Sequence, residues 1–208
     1  MKQADKNETI HITVVLPAGQ LPLEIMNKAH EIAEKHQLAV YLTTSQNLRL
    51  LSVPKEIAED VKAEFAAMGA VTKKPGIFRK PIVCLGKPHC NLGQVDTQSL
   101  SERLIDRFGK RDKIKEKIKY AIAGCNLSCS NAKVTDIGIV AKSKGFDLYV
   151  GGKGGAAPQA GTRVAMNCSE EELFDKIDTL IKFHDAKTEK KQRMAKLLSD
   201  PEFPFKAI

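Results

Sequence analysis

The chain has 208 residues, of which 42% are hydrophobic, and it carries 33 basic and 25 acidic side chains. This composition excludes a disordered chain, and no apolar run approaches the ~18 residues that a membrane-spanning helix needs. The net charge of +8 favours an anionic partner, whereas an aromatic fraction of 5% with no Trp offers little for stacking nucleic-acid bases.

The first ten residues, "MKQADKNETI", are polar and predict a flexible N-terminus over 1–10. They lack the apolar segment of a signal peptide, so we expect a cytoplasmic location. In that reducing compartment, paired cysteines bind metals or do redox chemistry more often than they form disulfides.

Residues 11–76 predict a small ferredoxin-like unit, because strands and helices follow in the order β-α-β-β-α. The first helix, 21–36, places Leu23, Met26, Ala29 and Ala33 on one face. The second helix opens at Pro54 and closes at Gly69. The predicted strands are 11–17, 38–44 and 47–53. A segment rich in Pro, Gly and charge, 71–81, predicts a domain joint.

Residues 77–208 predict a second domain that ends in a basic helix. The predicted helices cover 96–109, 169–184 and the basic 187–203, and the predicted strands cover 117–125 and 147–155. The last of these strands runs into the glycine loop "GGKGG". Ser169 and the acids that follow it are typical of a helix N-terminus.

Four of the five cysteines form two clips, C-x5-C at Cys84 and Cys90 and C-x3-C at Cys125 and Cys129. Zinc sites mostly use two to four residues between paired ligands, so the first clip is loose for zinc. An iron–sulfur cluster is larger and tolerates wider clips. Free Cys is also a common buried hydrophobe, which is the interpretation we give to Cys168.

The cysteine clips stand in a wider pattern that resembles the sulfite and nitrite reductases containing siroheme and a [4Fe–4S] cluster. The matching stretches are "VCLGKPHC", "AIAGCNLSC", "LTTSQNLRLLSV" and "YVGGKGGAAPQAGTRVA". The resemblance implies a reductase-type α/β domain after the ferredoxin-like unit, and thus an α+β chain of the low-molecular-weight, single-module type. It implies the six-electron reduction of sulfite to sulfide, or alternatively of nitrite to ammonia.

The resemblance also implies roles for individual residues. Cys84, Cys90, Cys125 and Cys129 would bind the cluster, with Cys129 bridging to the siroheme iron. The expected cofactor-binding residues are Asn126, Gly152, Lys153, Thr162 and Arg163, and the expected catalytic residues are Arg49, Arg79, Lys117 and Lys119. The glycine loop is equally compatible with a tight turn, and the two lysines with a solvated strand edge. The chain departs from the family pattern at Ser45, where an arginine is usual, and at Asn126, where a proline is usual.

Partners follow from the same resemblance. They are a small inorganic anion, sulfite or nitrite, and an electron donor such as ferredoxin, with no nucleic acid and no membrane. A homodimer is possible, because the family places siroheme between two modules and this chain supplies one. Two other interpretations stay open: an iron–sulfur electron-transfer protein that has lost turnover, and a zinc protein that binds nucleic acid.

Overall fold

The computed structural model describes residues 8–76, 78–111, 117–188 and 192–208. The chain forms two compact units, and the boundary between them falls between Pro75 and Gly76, inside the segment 71–81. In the described ranges, no helix is long and apolar enough to cross a membrane.

The N-terminal unit is a four-stranded antiparallel sheet with two helices. Its elements are β1 (Thr9–Val15), α1 (Leu23–His36), β2 (Ala39–Leu42), β3 (Leu48–Pro54), α2 (Lys55–Ala67) and β4 (Val71–Thr72). The sheet order β2-β3-β1-β4 is the ferredoxin-like arrangement. Alternation along β3 buries Leu48 and Leu50, which belong to the same core cluster as Val61 and Phe65 of α2.

Two details of this unit differ from the sequence-based expectations. Residues 1–7 of the predicted flexible N-terminus lie outside the described residues, but β1 already begins at Thr9, which pairs with Pro54. In α1 the buried positions are Ile25, Ala29 and Ile32, while Leu23 is 69% and Met26 44% exposed. The predicted buried face of α1 is therefore wrong, because the buried residues lie on a face that is rotated around the helix axis.

The C-terminal unit contains a five-stranded sheet whose strands follow one another in chain order. Its elements are β5 (Ile82–Val83), α3 (Thr97–Phe108), β6 (Tyr120–Ala123), β7 (Ile137–Lys142), β8 (Gly145–Val150), β9 (Thr162–Cys168) and α4 (Glu170–Lys187). Strands β5, β6 and β7 are parallel, and β8 and β9 continue the sheet antiparallel. All four residues of β6 are buried.

Helices α3 and α4 are joined by ion pairs and by an edge-on contact between Phe108 and Phe174. Arg103 forms a fork with Glu170, at 2.5 and 2.8 Å. Arg107 and Arg111 likewise pair with Asp175 and Asp178. Much of the positive charge of α3 is therefore neutralised within the fold.

The predicted basic helix over 187–203 is wrong for the described part of that segment. Helix α4 ends at Lys187, and in 192–208 the one helical stretch is a 3-10 turn, Met194–Lys196. Met194 and Leu197 are buried, and the backbone N–H of Met194 donates to the side chain of Asp136. Tertiary contacts of this kind override helix propensity.

Candidate functional site

The two cysteine clips lie at the carboxyl ends of neighbouring parallel strands. Cys84 follows β5 directly, and Cys125 follows β6 after one glycine. Val83 is in register with Ile122, and the Cys84 N–H donates to the Ile122 carbonyl at 3.2 Å. Because parallel strands end at the same edge of a sheet, the fold brings the two clips together.

Gly124 joins the clips through hydrogen bonds. Its N–H donates to Cys84 Sγ at 3.0 Å, and its carbonyl accepts from the Gln94 N–H at 2.7 Å. A hydrogen bond to sulfur favours the charged thiolate, which is the form that binds metals. The Gly124 N–H aimed at Cys84 Sγ suits the cluster-ligand role expected of Cys84, and that role stays a prediction.

The space between the clips admits only glycine. A Cβ on Gly124 would lie 3.1 Å from Gly86 Cα and 3.4 Å from Cys84 Sγ. A Cβ on Gly86 would lie 2.5 Å from Thr97 Oγ1, whose hydroxyl donates to the Cys84 carbonyl. This narrow cradle around a thiolate fits the close backbone approach that a cluster ligand needs.

The exposure of the thiols also separates the clips from the fifth cysteine. Cys84, Cys90 and Cys125 are half-buried and Cys129 is exposed, whereas Cys168 is buried. Burial raises the pKa of the Cys168 thiol, which donates to the Phe146 carbonyl at 3.1 Å. The location of Cys168 in the core agrees with the interpretation given to it above.

The four clip cysteines do not form a site for a single metal ion. In the part of the chain that the structure describes, no three His, Cys, Asp or Glu side chains gather closely enough to hold one metal ion. A cubane cluster asks for a different arrangement, since each of its four thiolates binds a different iron atom.

A surface groove of about 640 Å³ opens beside Cys125 and Asn126, with Leu92 and Leu127 among its walls. Lys142 crosses this groove and contacts the Asn126 amide oxygen. Asn126 thus lines a groove beside the clip to which it belongs, and its cofactor-binding role stays a prediction.

Arg163 lies further along the same sheet, near the buried carboxylate of Asp147. Asp147 is 1% exposed, and its Oδ2 is 3.2 Å from Lys142 Nζ and 3.7 Å from Arg163 Nη1. The Arg163 side chain stays about one third exposed, so part of its guanidinium remains open to a ligand.

The glycine loop has a structural reason of its own. A Cβ on Gly152 would lie 2.6 Å from the Thr135 backbone nitrogen, so close backbone packing requires glycine there. Lys153 pairs with Gln159 across the loop, and Thr162 begins β9 opposite Val150. Packing against Thr135 is thus a structural reason for glycine at 152, and a ligand role for Gly152, Lys153 and Thr162 stays a prediction.

A cluster of cations surrounds Lys119 at the amino end of β6. Burial, followed by the charges of Arg193 and Arg79 and then of Lys117, lowers the pKa of the Lys119 ammonium, while Asp136 opposes the shift. The structure thus brings together three of the predicted catalytic residues and adds Arg193, which the sequence did not suggest.

The fold separates this cluster from the cysteines. Lys119 precedes β6 and Cys125 follows it, so the chain advances six residues from one to the other, which is about 20 Å when extended. Arg49 belongs to the other compact unit, where its Nε donates to Thr13 Oγ1 at 2.9 Å. A ligand that touched both Cys125 and Lys119 would have to be large.

Sequence reasoning missed two acids that organise this unit, Asp136 and Asp147. Both are almost fully buried. Asp136 directly precedes the apolar strand β7, and Asp147 lies within β8. A lone acid beside a buried strand is the signal that could have pointed to them, because a buried charge needs partners.

The ferredoxin-like unit and the joined cysteine clips define a two-unit α+β chain with a candidate iron–sulfur site. Residues 77–201 match the family described as nitrite and sulphite reductase 4Fe-4S domain, and residues 1–68 match the nitrite/sulfite reductase ferredoxin-like half domain. The chain therefore belongs to the nitrite and sulfite reductase family. This membership confirms the predicted α+β fold class, and it confirms the [4Fe–4S] cluster and siroheme as the cofactors to expect.

Individual relatives cover the chain almost completely. The NADH nitrite reductase large subunit of Escherichia coli (strain K12) is 28% identical over 95% of this chain and 23% of its own length. The assimilatory-type sulfite reductase of Nitratidesulfovibrio vulgaris (strain Hildenborough) is 24% identical over 88% of this chain and 83% of its own length. The chain spans about a fifth of the length of the nitrite reductases it matches.

Solved structures share the fold. The Mycobacterium tuberculosis NirA protein superimposes with a TM-score of 0.73 at 21% identity, covering 92% of this chain and 38% of that one. Dissimilatory sulfite reductase I superimposes with a TM-score of 0.72 at 13% identity, covering 89% of this chain and 65% of that one.

Proposed function

We propose that the chain is a reductase that uses siroheme coupled to a [4Fe–4S] cluster to convert sulfite to sulfide. The observation that carries this proposal is the union of the two clips, in which the Gly124 N–H donates to Cys84 Sγ at 3.0 Å. In the reaction, hydrogen sulfite takes up six electrons and six protons and yields hydrosulfide and three waters. The bound cofactors would supply the electrons one at a time and an iron site for the anion.

The protein would contribute ligands, charge and protons. Cys84, Cys90, Cys125 and Cys129 would hold the cluster, with Cys129 as the bridge to the siroheme iron. The backbone N–H of Gly124 donates to Cys84 Sγ and would keep that contact with a cluster-bound sulfur. Basic side chains would offset the carboxylates of siroheme, and we assign Arg163 and Lys153 to this role.

Lys119 is our candidate for handling the substrate anion and its protons, together with Lys117 and Arg79. The pKa of Lys119 is lowered, mainly by burial and then by neighbouring cations. A lowered pKa brings an ammonium closer to the working pH, where a general acid is most effective. The alternative is that these cations hold carboxylates of the tetrapyrrole, which the distance from Cys125 favours.

Nitrite is the second candidate substrate. Nitrite reductases are 28–30% identical to this chain, but the chain spans about a fifth of their length. The assimilatory-type sulfite reductase is matched over 83% of its length, which supports sulfite. The two reactions share cofactors and differ in their product.

The test is an anaerobic preparation analysed for iron, acid-labile sulfide and siroheme, then supplied with electrons from reduced methyl viologen. We expect about four irons per chain, a siroheme spectrum, and sulfide formed from sulfite faster than ammonium is formed from nitrite. Cys125→Ser should lose most of the iron. Cluster without siroheme or turnover would show an electron-transfer protein, and one zinc without iron would refute the proposal.

We further propose a cytoplasmic protein that receives its electrons from a carrier such as ferredoxin and works as a homodimer. The reason for a dimer is that the resemblance implies siroheme between two modules, and a second copy of this chain could provide the other one. Light scattering on the siroheme-loaded protein would give about twice 22.9 kDa for a dimer. A mass near 22.9 kDa with full activity would rule the dimer out.

A further inference from the structure

Asp136 is a buried carboxylate that ties three separate segments together. It is 0% exposed and precedes β7. Its Oδ2 accepts from the Lys119 backbone N–H at 3.1 Å, and its Oδ1 accepts from Arg193 Nε at 2.7 Å and from the Met194 N–H at 3.1 Å. A buried charge with this many donors is well compensated, and its contacts fix the positions of its partners.

Arg193 is fixed on a second side by the glycine loop. Its Nη2 donates to the Gly152 carbonyl at 3.3 Å. The segment that carries Arg193 continues over the same loop, because a Cβ on Gly151 would lie 2.5 Å from Leu198 Cδ1. The guanidinium is thus held between β7, the glycine loop and the C-terminal segment, in one orientation.

The charges at this end of the sheet do not balance. Arg79, Lys117 and Lys119 have no acidic side chain at ion-pair distance among the described residues, and Arg193 Nη1 has no hydrogen-bond partner there. In contrast, Arg103 and Arg107 of α3 and Arg111, which follows this helix, are all paired with acids of α4. Asp136, which bonds Arg193 and offsets part of the pKa shift of Lys119, is the described acid that meets this group of cations.

The three other cations lie close enough to Lys119 to lower its pKa. After burial, the charges of Arg193, Arg79 and Lys117 lower the pKa of Lys119. Cations that stay this close repel one another, and a bound anion would offset the repulsion that Asp136 leaves. Lys117 and Lys119 are exposed and Arg193 is half-buried, so an anion can reach all three.

We infer that Arg193, oriented by Asp136, is a further oxyanion-binding residue that the C-terminal segment adds to the site of Arg79, Lys117 and Lys119. This inference rests on the proposed function for the identity of the ligand, but not for the existence of the site. The shared chemistry is an oxyanion: either the small inorganic substrate or a carboxylate at the edge of the tetrapyrrole. Arg193 binds this oxyanion through Nη1 while Asp136 acts only as a positioning residue.

The experiment measures two quantities on the full chain prepared without oxygen. The first is the dissociation constant of inorganic sulfate, a non-reducible oxyanion, by titration calorimetry, and the second is the siroheme content per chain from its absorbance. Removing one charge-assisted contact weakens binding by about tenfold or more. In Arg193→Gln, a weaker sulfate affinity at constant siroheme indicates the substrate anion, and a loss of siroheme at constant sulfate affinity indicates the cofactor carboxylate.

Controls keep the test decisive. Lys196→Gln removes the same charge from an exposed position of the same segment and should change neither quantity. Because Arg193→Gln leaves a buried carboxylate unpaired, the double variant Arg193→Gln/Asp136→Asn serves if the single variant unfolds. Arg193→Lys keeps the charge but loses the fork, so it should restore only part of the binding.

The inference is overturned if a folded Arg193 variant keeps both wild-type sulfate affinity and wild-type siroheme content, or if Lys196→Gln has the same effect. Failure of the proposed function gives a different result. In that case sulfite is not reduced, while sulfate binding still depends on Arg193.

Discussion

Substitution of Gly124 by Ala tests whether the two clips are held at the spacing seen here. The added Cβ would lie 3.1 Å from Gly86 Cα, 3.2 Å from Thr97 Cγ2 and 3.4 Å from Cys84 Sγ. Gly86 cannot retreat easily, because it packs against Thr97, the first residue of α3. The backbone N–H that donates to Cys84 is retained in Ala, so the effect is steric.

Overpacking of this kind costs about 1–3 kcal/mol. If separation of the clips relieves the strain, an iron chelator should remove the cluster faster. A strain of about 1.4 kcal/mol would raise the rate of cluster loss about tenfold. The assay follows the bleaching of cluster absorbance under anaerobic conditions, and urea unfolding of the cluster-free chain gives the stability term. In Gly124→Ala we expect faster bleaching in the first assay and a lower unfolding free energy in the second.

Gly154→Ala is the matched control, because a Cβ there meets nothing within 4 Å. It should leave the chelation rate and the unfolding free energy at wild-type values. If Gly124→Ala and Gly154→Ala behave alike, the clips are not packed through Gly124 and the cradle described above is wrong.

Three further substitutions test other parts of the C-terminal unit. Cys168→Ser should keep the wild-type iron content, whereas Cys125→Ser should lose most of it. Loss of iron from both variants would contradict the four-ligand assignment. Hydrogen bonds from Ser99 lower the pKa of Asp96, so its stabilisation is fully present above about pH 4, the ordinary carboxyl pKa, and is lost below it as the pH falls through the lowered pKa. Asp96→Asn should flatten this part of the stability profile in acid titration. Ser169→Ala removes the capping box with Glu172 and should lower the unfolding free energy by about 1 kcal/mol in urea, with no change in iron content.

The cysteine clips could be predicted because their spacing is local and the number of thiols is small. The ferredoxin-like unit could be predicted for a similar reason, since its strands and helices follow one another with clear breaks. The face of α1 could not, because Leu23, Met26, Ala29 and Ala33 formed an equally regular apolar stripe. The buried set of Ile25, Ala29 and Ile32 was selected by packing against the sheet, which the helix sequence does not contain.

Strands β7 and β9 escaped prediction for a different reason. Strand β7, Ile137–Lys142, is buried along almost its whole length, and a continuous apolar run without alternation resembles a helix core as much as a strand. Strand β9, Thr162–Cys168, follows a glycine-rich loop, so the sequence has no clear signal for where the strand begins. In both cases the missing information was the identity of the neighbouring strands.

The C-terminal segment shows the limit most clearly. Its basic residues and the apolar positions Met194 and Leu197 suit a helix, and nothing near them in sequence opposes one. The competing partner is Asp136, which is 57 residues away from Arg193 along the chain. Charge-assisted bonds to a buried carboxylate are stronger than the few tenths of a kcal/mol that separate helix propensities.

The crossover from Gly124 to Asp136 connects the cysteine end of the sheet to the cationic end. It is pressed against β7 at Gly138, where a Cβ would lie only 1.8 Å from the Ala132 carbonyl oxygen. It begins at the residue that bonds Cys84 and ends at the residue that bonds Arg193. The contact at Gly138 and the hydrogen bonds at the two ends tie this connection to the sheet, so the backbone sets the spacing between Cys84 and Arg193.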